Sequence, residues 1–339
     1  ARSAAMFMAR QLGEDVGGTI GYRIRFENRV SSRTRIEVVT EGILTRMLQD
    51  DPELGGNAPG GIGALLFDEF HERHLAGDLG LALALDVQAG LREDLRLVAL
   101  SATLDAPRLS SEGRHFPVRT EHVPARRDEA LEPHTRRAIE QALAQHPGDV
   151  LVFLPGRREI ARVAQSLAQT TIDADVLELH GDLPVEQQSR VLQPADDGRR
   201  RVVLATNVAE SSVTLPGVRV VIDSGLAREP RFDPNSGFSR LDVVAISQAS
   251  ADQRAGRAGR VAEGWAWRLW PQSQRLEPQR RPEIAQVELA SLALELAAWG
   301  SDALRFVDPP PAGALAAARD LLRRLGALDA GAGITATGR

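Results

Sequence analysis

Hydrophobic residues in the first hundred positions form short runs that alternate with helical stripes. Residues 35–39 are a β-branched run, and Thr40 is followed by apolar side chains at helical spacing. The pattern predicts a buried strand at 62–67, a long Leu/Ala helix at 75–91 and a further strand at 95–100. Strands that alternate with helices in this way are typical of a parallel sheet in an α/β domain.

A second series of strands and helices follows a polar stretch that contains Pro117, Pro124 and Pro133. The sequence PGRREI is predicted to open a helix. The apolar runs predict strands at 149–154, 175–179, 201–205 and 218–222. A second parallel α/β domain is therefore expected in this part of the chain.

The pattern changes again after residue 281, where two apolar helical segments precede a Gly-rich stretch that indicates a turn and a short hairpin. Helices that end in a hairpin are typical of a winged-helix module. The predicted fold class is therefore α/β, with two tandem parallel-sheet domains and a partial winged-helix region. The expected domains are 1–120, 134–275 and 281–339.

Composition narrows the class of protein. A chain of 339 residues is too long for one ordinary core, and 43% hydrophobic with 26% charged residues is typical of globular proteins. The chain has no cysteine, which excludes disulfides and thiolate metal sites and favours a cytoplasmic location. No apolar run approaches the roughly 20 residues that span a bilayer, so no membrane partner is expected.

The charged residues bear on nucleic-acid binding. A net charge of -5 argues against binding through overall charge but leaves room for a local basic groove. The chain has no lysine, so all 41 basic residues are arginine. Any site that requires a lysine is therefore absent from this chain.

Two acids, Asp68 and Glu69, directly follow a predicted strand. Ligands of parallel sheets bind at the carboxyl edge, where Asp can hold a magnesium ion and Glu can deprotonate an attacking water. The alternative is a solvated helix N-terminus, where acids are also favoured. His71 and His74 could share a helix face, but their spacing differs from the H-E-x-x-H of zinc enzymes, which makes a metallohydrolase the least favoured interpretation.

Two further segments carry candidate chemistry. SATLD, which begins at Ser101, follows the next predicted strand; Ser and Thr are common caps, but the pairing with the two acids on an adjacent strand is a strong signal. In QRAGRAGR, 253–260, arginine recurs every third residue. Gly256 and Gly259 would each lower the stability of a helix by about 1 kcal/mol. Glycine at these positions is explained if another group approaches the backbone too closely for a side chain. Arginine forks suit phosphate, and the alternative is a solvated basic helix.

The order of these motifs resembles that of superfamily 2 DEAH-type helicases. The matching segments are residues 1–27, TEGIL, DEFH, SAT, LVFLPG (151–156), LATNVAESSVTLPGVRVVIDSGLAR (204–228) and QRAGRAGR. The resemblance covers nearly the whole chain. It implies two RecA-like domains that clamp ATP between them, with single-stranded nucleic acid across their top.

The resemblance also implies roles for individual residues. Asp68 and Glu69 would serve the magnesium ion and the attacking water. Asp223 would lie near the ribose or metal-bound waters, Arg10 would stack on adenine, and Leu192 replaces the aromatic that often completes that sandwich. The γ-phosphate would be contacted by Gln253, Arg257 and Arg260. Nucleotide and nucleic acid would be coupled through His71, Ser101 and Thr103.

Nucleic acid would be held through its backbone phosphates, with little sequence information. The matching residues are Arg2, Thr40, Gly156, Arg157, Thr206 and Asn207. The segment 232–244 resembles the family's strand-separating hairpin, although an ordinary surface hairpin is the alternative.

The chain departs from the family in lacking the Gly-Lys-Thr loop that cradles phosphates. We therefore expect a chain that is truncated at both ends relative to the family. The leading interpretation is an ATP-dependent helicase that uses ATP and Mg2+ and acts on single-stranded or partly duplex RNA or DNA. The alternative is a non-hydrolysing nucleic-acid-binding module of the same fold.

Overall fold

The computed structural model describes residues 1–55, 61–101, 116–193, 198–210, 215–233, 238–301 and 303–339. Its contacts divide the chain into two compact units. The first unit contains Ala1–Leu104, Phe232–Ser239 and Arg281–Arg339. The second unit contains Asp105–Arg231 and Arg240–Arg280.

Helices and strands are numbered along the chain. The helices are α1 (Arg2–Gln11), α2 (Glu41–Asp50), α3 (Leu75–Gly90), α4 (Leu131–Gln145), α5 (Arg157–Leu167), α6 (Val185–Leu192), α7 (Gln248–Gly256), α8 (Ala290–Trp299) and α9 (Ala312–Arg324). The strands are β1 (Ile20–Ile24), β2 (Glu27–Arg29), β3 (Ile36–Val39), β4 (Ala64–Phe67), β5 (Arg96–Ala99), β6 (Val118–His122), β7 (Asp149–Phe153), β8 (Asp175–Leu179), β9 (Arg201–Ala205), β10 (Val218–Asp223), β11 (Leu226–Asp233), β12 (Phe238–Ala245) and β13 (Gly264–Arg268). Within the ranges given above, no helix is long and apolar enough to cross a membrane.

Two small sheets lie in the first unit. β1 pairs with β3 in parallel and with β2 in antiparallel orientation. β4 and β5 are parallel, with Phe67 opposite Ala99. Leu65 and Phe67 of β4 are buried while Ala64 and Leu66 are exposed, so one face of this pair lies on the core.

One apolar core joins the β4–β5 pair to α2, α3 and the two C-terminal helices. Leu48 of α2 and Leu83 of α3 belong to the same buried cluster as Leu292 of α8 and Leu322 of α9. α2 and α9 each contribute one apolar side, as the spacing of α2 predicted, whereas α3 and α8 are apolar on more than one side. The C-terminal helices are therefore part of the first unit.

A six-stranded parallel sheet forms the centre of the second unit, in the order β6-β13-β10-β7-β9-β8. All residues of β7 and β9 are buried. Ile139 of α4 and Ile160 of α5 pack on one face, and Ala255 of α7 belongs to the cluster on the other. Burial on both faces explains why these strands are continuous apolar runs rather than alternating patterns.

The structure confirms the predicted strands that became β3, β4, β5 and β7 to β10, and the helices α2, α3 and α5. It also contains elements that the patterns did not predict, among them β1, β6, α4 and β13. α4 was missed because Pro133 indicated a break. Proline is tolerated in the first turn of a helix, and Pro133 is the third residue of α4.

The expected domain boundaries differ from the contact units in two places. β6, inside the expected first domain 1–120, pairs with β13 in the second sheet. Its residues are mostly exposed, so it gave no apolar signal. Residues 281–339 share a unit with 1–104 instead of standing apart. Leu328 and Ile334 form an antiparallel bridge where the hairpin was expected, and the winged-helix assignment stays a prediction.

Candidate functional site

The acids of the DEFH segment lie at the carboxyl edge of the β4–β5 pair. The Phe70 N–H donates to the Leu100 carbonyl oxygen at 2.9 Å, which fixes the two strand ends against each other. Asp68 follows β4 and Ser101 follows β5, so the two motifs lie on adjacent parallel strands as predicted. Thr103 lies outside the described residues.

Asp68 is suited to a hydrated cation. Its side chain is exposed, and its Oδ1 accepts the Glu69 N–H at 2.9 Å. The Glu69 Oε2 lies 3.6 Å from His71 Nε2. Among the described residues, no group of three or more His, Asp or Glu side chains is placed to hold a metal. Mg2+ does not require such a group, because it commonly binds one or two carboxylates, water and nucleotide phosphates.

The second half of this segment makes contacts inside the first unit. His74 Nε2 lies 2.9 Å from Glu72 Oε2, and His74 Nδ1 lies 3.6 Å from Glu283 Oε2. Hydrogen bonding to Glu283 and then to Glu72 raises the pKa of His74 to about 10, although partial burial opposes the shift. The protonated imidazole therefore links the segment to the part of the chain that begins at 281.

This arrangement predicts a pH-dependent stability. In the unfolded chain the pKa of histidine is about 6.5, so a folded pKa near 10 gives a contribution that is complete below pH 6.5 and lost as pH rises towards 10. His74→Gln should therefore flatten the fall in unfolding free energy between pH 7 and pH 10, measured by urea denaturation.

His146→Gln is the matched control. Burial lowers the pKa of His146, so this side chain is neutral throughout the same pH range and its replacement should leave the slope unchanged. An unaltered slope in His74→Gln would contradict the assignment.

Four residues expected to bind nucleic acid lie together at the carboxyl edge of the second sheet. β7 and β9 are parallel neighbours. Gly156 and Arg157 follow β7, while Thr206 and Asn207 follow β9. The Arg157 and Asn207 side chains are exposed, and Arg157 Nη1 is 3.8 Å from the exposed Asp182. The edge therefore presents the guanidinium of Arg157 at the start of α5 and the amide of Asn207 just after β9.

The arginine repeat begins on α7 and continues in a 3₁₀ turn at Arg257–Gly259. Arg257 is only 5% exposed, and its Nε donates to the Glu210 carbonyl oxygen at 2.9 Å. Gln253 is partly buried and Arg260 is exposed. These three side chains therefore lie in the last part of α7 and just beyond it, and their contact with a γ-phosphate stays a prediction.

The close approach predicted for the glycines of the repeat is made by the chain itself. A Cβ atom on Gly259 would lie 2.5 Å from the Phe116 carbonyl oxygen and 2.7 Å from Val118 Cγ2. At Gly256, nothing would lie within 4 Å. Only Gly259 therefore has a packing reason, which is the passage of the segment that enters β6.

Arg254 is a residue to which the sequence assigned no role. It is 1% exposed, and it donates from Nε to Glu210 Oε2 at 2.8 Å and from Nη1 to Asp223 Oδ1 at 2.9 Å. Burial raises the pKa of Asp223, although Arg254 opposes the shift. Arg254 shares the buried side of α7 with Ala251 and Ala255. These two small apolar residues, one helical turn apart on either side of Arg254, were the signal in the sequence that it lies on the inner side.

The remaining predicted residues are on other elements. Arg10 is exposed in the last turn of α1, and Thr40 is exposed between β3 and α2. Arg2 Nη1 is 3.5 Å from Glu27 Oε2. Leu192 packs against the core of the second unit. Their roles, like that of Asp223 near the nucleotide, stay predictions.

The chain is similar to known helicases. The family model for the helicase conserved C-terminal domain matches residues 134–262. The ATP-dependent RNA helicase HrpB of Escherichia coli (strain K12) is 46% identical over 97% of this chain, which covers 42% of that protein. The pre-mRNA-splicing factor ATP-dependent RNA helicase prp22 of Schizosaccharomyces pombe is 37% identical over 100% of this chain, which covers 31% of it.

Solved structures also show similarity to HrpB. Two crystal structures of E. coli HrpB match with TM-scores of 0.87 and 0.91, each at 44% identity over 99% of this chain. The fold and the order of the motifs match those of superfamily 2 DEAH-type helicases. The chain is a homologue of one part of HrpB. The chain spans less than half the length of these relatives, covering 42% and 31% of the two curated proteins.

Proposed function

We propose that this protein is an ATP-dependent helicase that couples ATP hydrolysis to movement along RNA or DNA and to strand separation. The observation that carries the proposal is the placement of Asp68 and Ser101 at the ends of adjacent parallel strands. Its relatives HrpB and prp22 are ATP-dependent RNA helicases, which favours RNA as the substrate. A cytoplasmic location is part of the proposal.

The proposed chemistry is attack of water on the γ-phosphorus of ATP. Asp68 would bind the magnesium ion that accompanies the nucleotide and neutralises phosphate charge. Glu69 would orient the water and accept its proton as the bond between the β- and γ-phosphate groups breaks. Charge that develops on the γ-phosphate would be stabilised by Gln253, Arg257 and Arg260.

The proposed nucleic-acid contacts are to backbone phosphates. Arg157 and Asn207 are exposed at the carboxyl edge of the second sheet, beside Gly156 and Thr206. Arg2 and Thr40 would add contacts from the first unit. His71 lies 3.6 Å from Glu69. Together with Ser101 and Thr103, it would couple the nucleotide site to the nucleic-acid site.

Binding to single-stranded RNA tests this surface. Arg157→Ala should weaken binding several-fold for any sequence and reduce the salt slope by about 0.7, because one phosphate contact is lost. Fluorescence anisotropy with two labelled oligonucleotides of unrelated sequence at several salt concentrations measures both effects. Arg162→Ala, an exposed arginine on the same helix, is the matched control. Equal effects of the two variants would count against the assigned surface.

The alternative function is nucleic-acid binding without hydrolysis, and the absence of lysine favours it. No lysine is available to hold the β- and γ-phosphates. We therefore expect the 339-residue chain to have little RNA-stimulated ATPase activity, measured by phosphate release. Robust turnover that Glu69→Gln abolishes would show this expectation to be wrong and would favour the enzyme.

A further inference from the structure

The loop between β4 and α3, residues 68–74, contains two residues in left-handed backbone conformation. Glu69 has a φ of 50° and Arg73 has a φ of 51°. Neither residue is Gly, Asn or Asp, so the left-handed conformation is strained at both positions. Such conformations persist only where surrounding contacts hold them, and they occur preferentially at functional sites.

The Arg73 side chain binds two carboxylates. Its Nε and Nη2 donate to the two oxygens of Asp78, each at 3.0 Å. Its Nη2 also donates to Asp308 Oδ2 at 2.6 Å. Asp78 is 2% exposed and lies in the first turn of α3. Asp308 lies 235 positions after Arg73 in the sequence. The guanidinium fork therefore joins the loop to α3 and to the C-terminal part of the first unit.

Glu283 holds the same loop through two further hydrogen bonds. Its N–H donates to the Arg73 carbonyl oxygen at 3.0 Å. Its Oε2 accepts the Leu75 N–H at 2.7 Å, which satisfies a donor in the first turn of α3. Side chain and backbone of Arg73 are thus both bound by residues that follow position 281.

The two left-handed residues, Glu69 and Arg73, flank a single 3₁₀ turn, Phe70–Glu72. The Arg73 N–H donates to the Phe70 carbonyl oxygen at 3.2 Å, and the Glu72 N–H donates to the Glu69 carbonyl oxygen at 2.9 Å. So short a turn has little freedom to change at one end alone. The orientation of Glu69 is therefore tied to that of Arg73.

We propose that Arg73 is a positioning residue that, through Asp308 and Glu283, fixes the loop carrying Asp68 and Glu69. The C-terminal part of the first unit then sets the geometry of the two acids, and a shift of that segment changes it. The inference rests on the proposed function for what the two acids do. The contacts that carry it do not involve nucleotide or nucleic acid.

Asp308→Asn tests the proposal by mass-spectrometric hydrogen exchange on the full 339-residue chain. Removing the negative charge should make amides 69–75 exchange about tenfold faster, as expected for the loss of one charge-assisted hydrogen bond. Amides of the second sheet should be unaffected. Asp308→Glu retains the carboxylate and should restore slow exchange.

The matched control is Asp320→Asn on α9, which removes an exposed carboxylate that pairs with Arg323 at 2.7 Å. It should leave amides 69–75 unchanged. Unchanged exchange in Asp308→Asn would overturn the proposal. Faster exchange spread over α2 and β5 would also overturn it, since that indicates general destabilisation of the unit. The assay does not depend on ATP turnover, so its outcome is distinguishable from a failure of the proposed function.

Discussion

Replacement of Arg254 by methionine should lower the free energy of unfolding of the second unit by about 3–5 kcal/mol. Arg254 is 1% exposed and Asp223 is 2% exposed. Methionine fills a similar volume but leaves the carboxylates of Asp223 and Glu210 without a counter-charge. Each would have to remain charged in a poorly solvated site or take up a proton, and both cost free energy.

Urea unfolding followed by tryptophan fluorescence measures this effect, because Trp265, Trp267 and Trp270 all lie in the second unit. The loss should be smaller at pH 5 than at pH 8. Burial already raises the pKa of Asp223, and loss of Arg254 removes the charge that opposes this shift. A raised pKa of an acid in the folded state means stability that declines as pH increases.

Arg199→Met is the control for this prediction. The Arg199–Asp175 pair has the ordinary distance of 3.0 Å, but its side chains are 51% and 43% exposed. Solvent screening limits such pairs to at most about 1 kcal/mol. A loss in Arg254→Met no larger than that in Arg199→Met would contradict the central role of the buried cluster.

Gly259→Ala should destabilise the second unit by about 1–3 kcal/mol, although it adds a single methyl group. That methyl carbon would lie 2.5 Å from the Phe116 carbonyl oxygen. The contact is with backbone, which cannot move aside as the end of a side chain can. The Phe116 N–H donates to the Gly259 carbonyl oxygen at 2.9 Å, so a shift also weakens this bond. Thermal unfolding and exchange of the β6 amides measure the change.

Gly256→Ala gives the opposite expectation within the same motif. Nothing lies within 4 Å of the added atom, and Gly256 is the last residue of α7. Replacing glycine there should stabilise the unit by up to about 1 kcal/mol, because the unfolded chain loses conformational freedom. If both variants were equally destabilising, the close approach to Phe116 would not explain Gly259.

Local hydrophobic patterns predicted the central strands well. β7 and β9 are buried on both faces, and most of their residues are Val, Leu or Phe in an unbroken run. Such a run can be recognised from the sequence without knowing which strands pair with it. β6 was missed because an edge strand with exposed residues has no such pattern. β13, GWAWR, was missed because its small and aromatic residues resemble neither a buried run nor a helix stripe.

Some features of the site depended on partners that are distant in sequence. The repeat places arginine at every third position, yet Arg254 is bound to Glu210 and Asp223 while Arg260 is exposed. The spacing along the repeat is the same for each arginine, so only the neighbouring segments distinguish them. For the same reason, nothing near Arg73 in the sequence indicates that Asp308 binds it.

The sequence by itself determined the central strands, several of the helices, the α/β class, and the position of Asp68, Glu69 and Ser101 at strand ends. These properties follow from hydrophobic periodicity and motif order, which are local. Only the tertiary structure decided that residues 281–339 share a core with the first unit, and that Arg254 lies in a buried ion cluster. Both depend on contacts between segments far apart in the chain, where burial and charge pairing are set by packing and not by spacing.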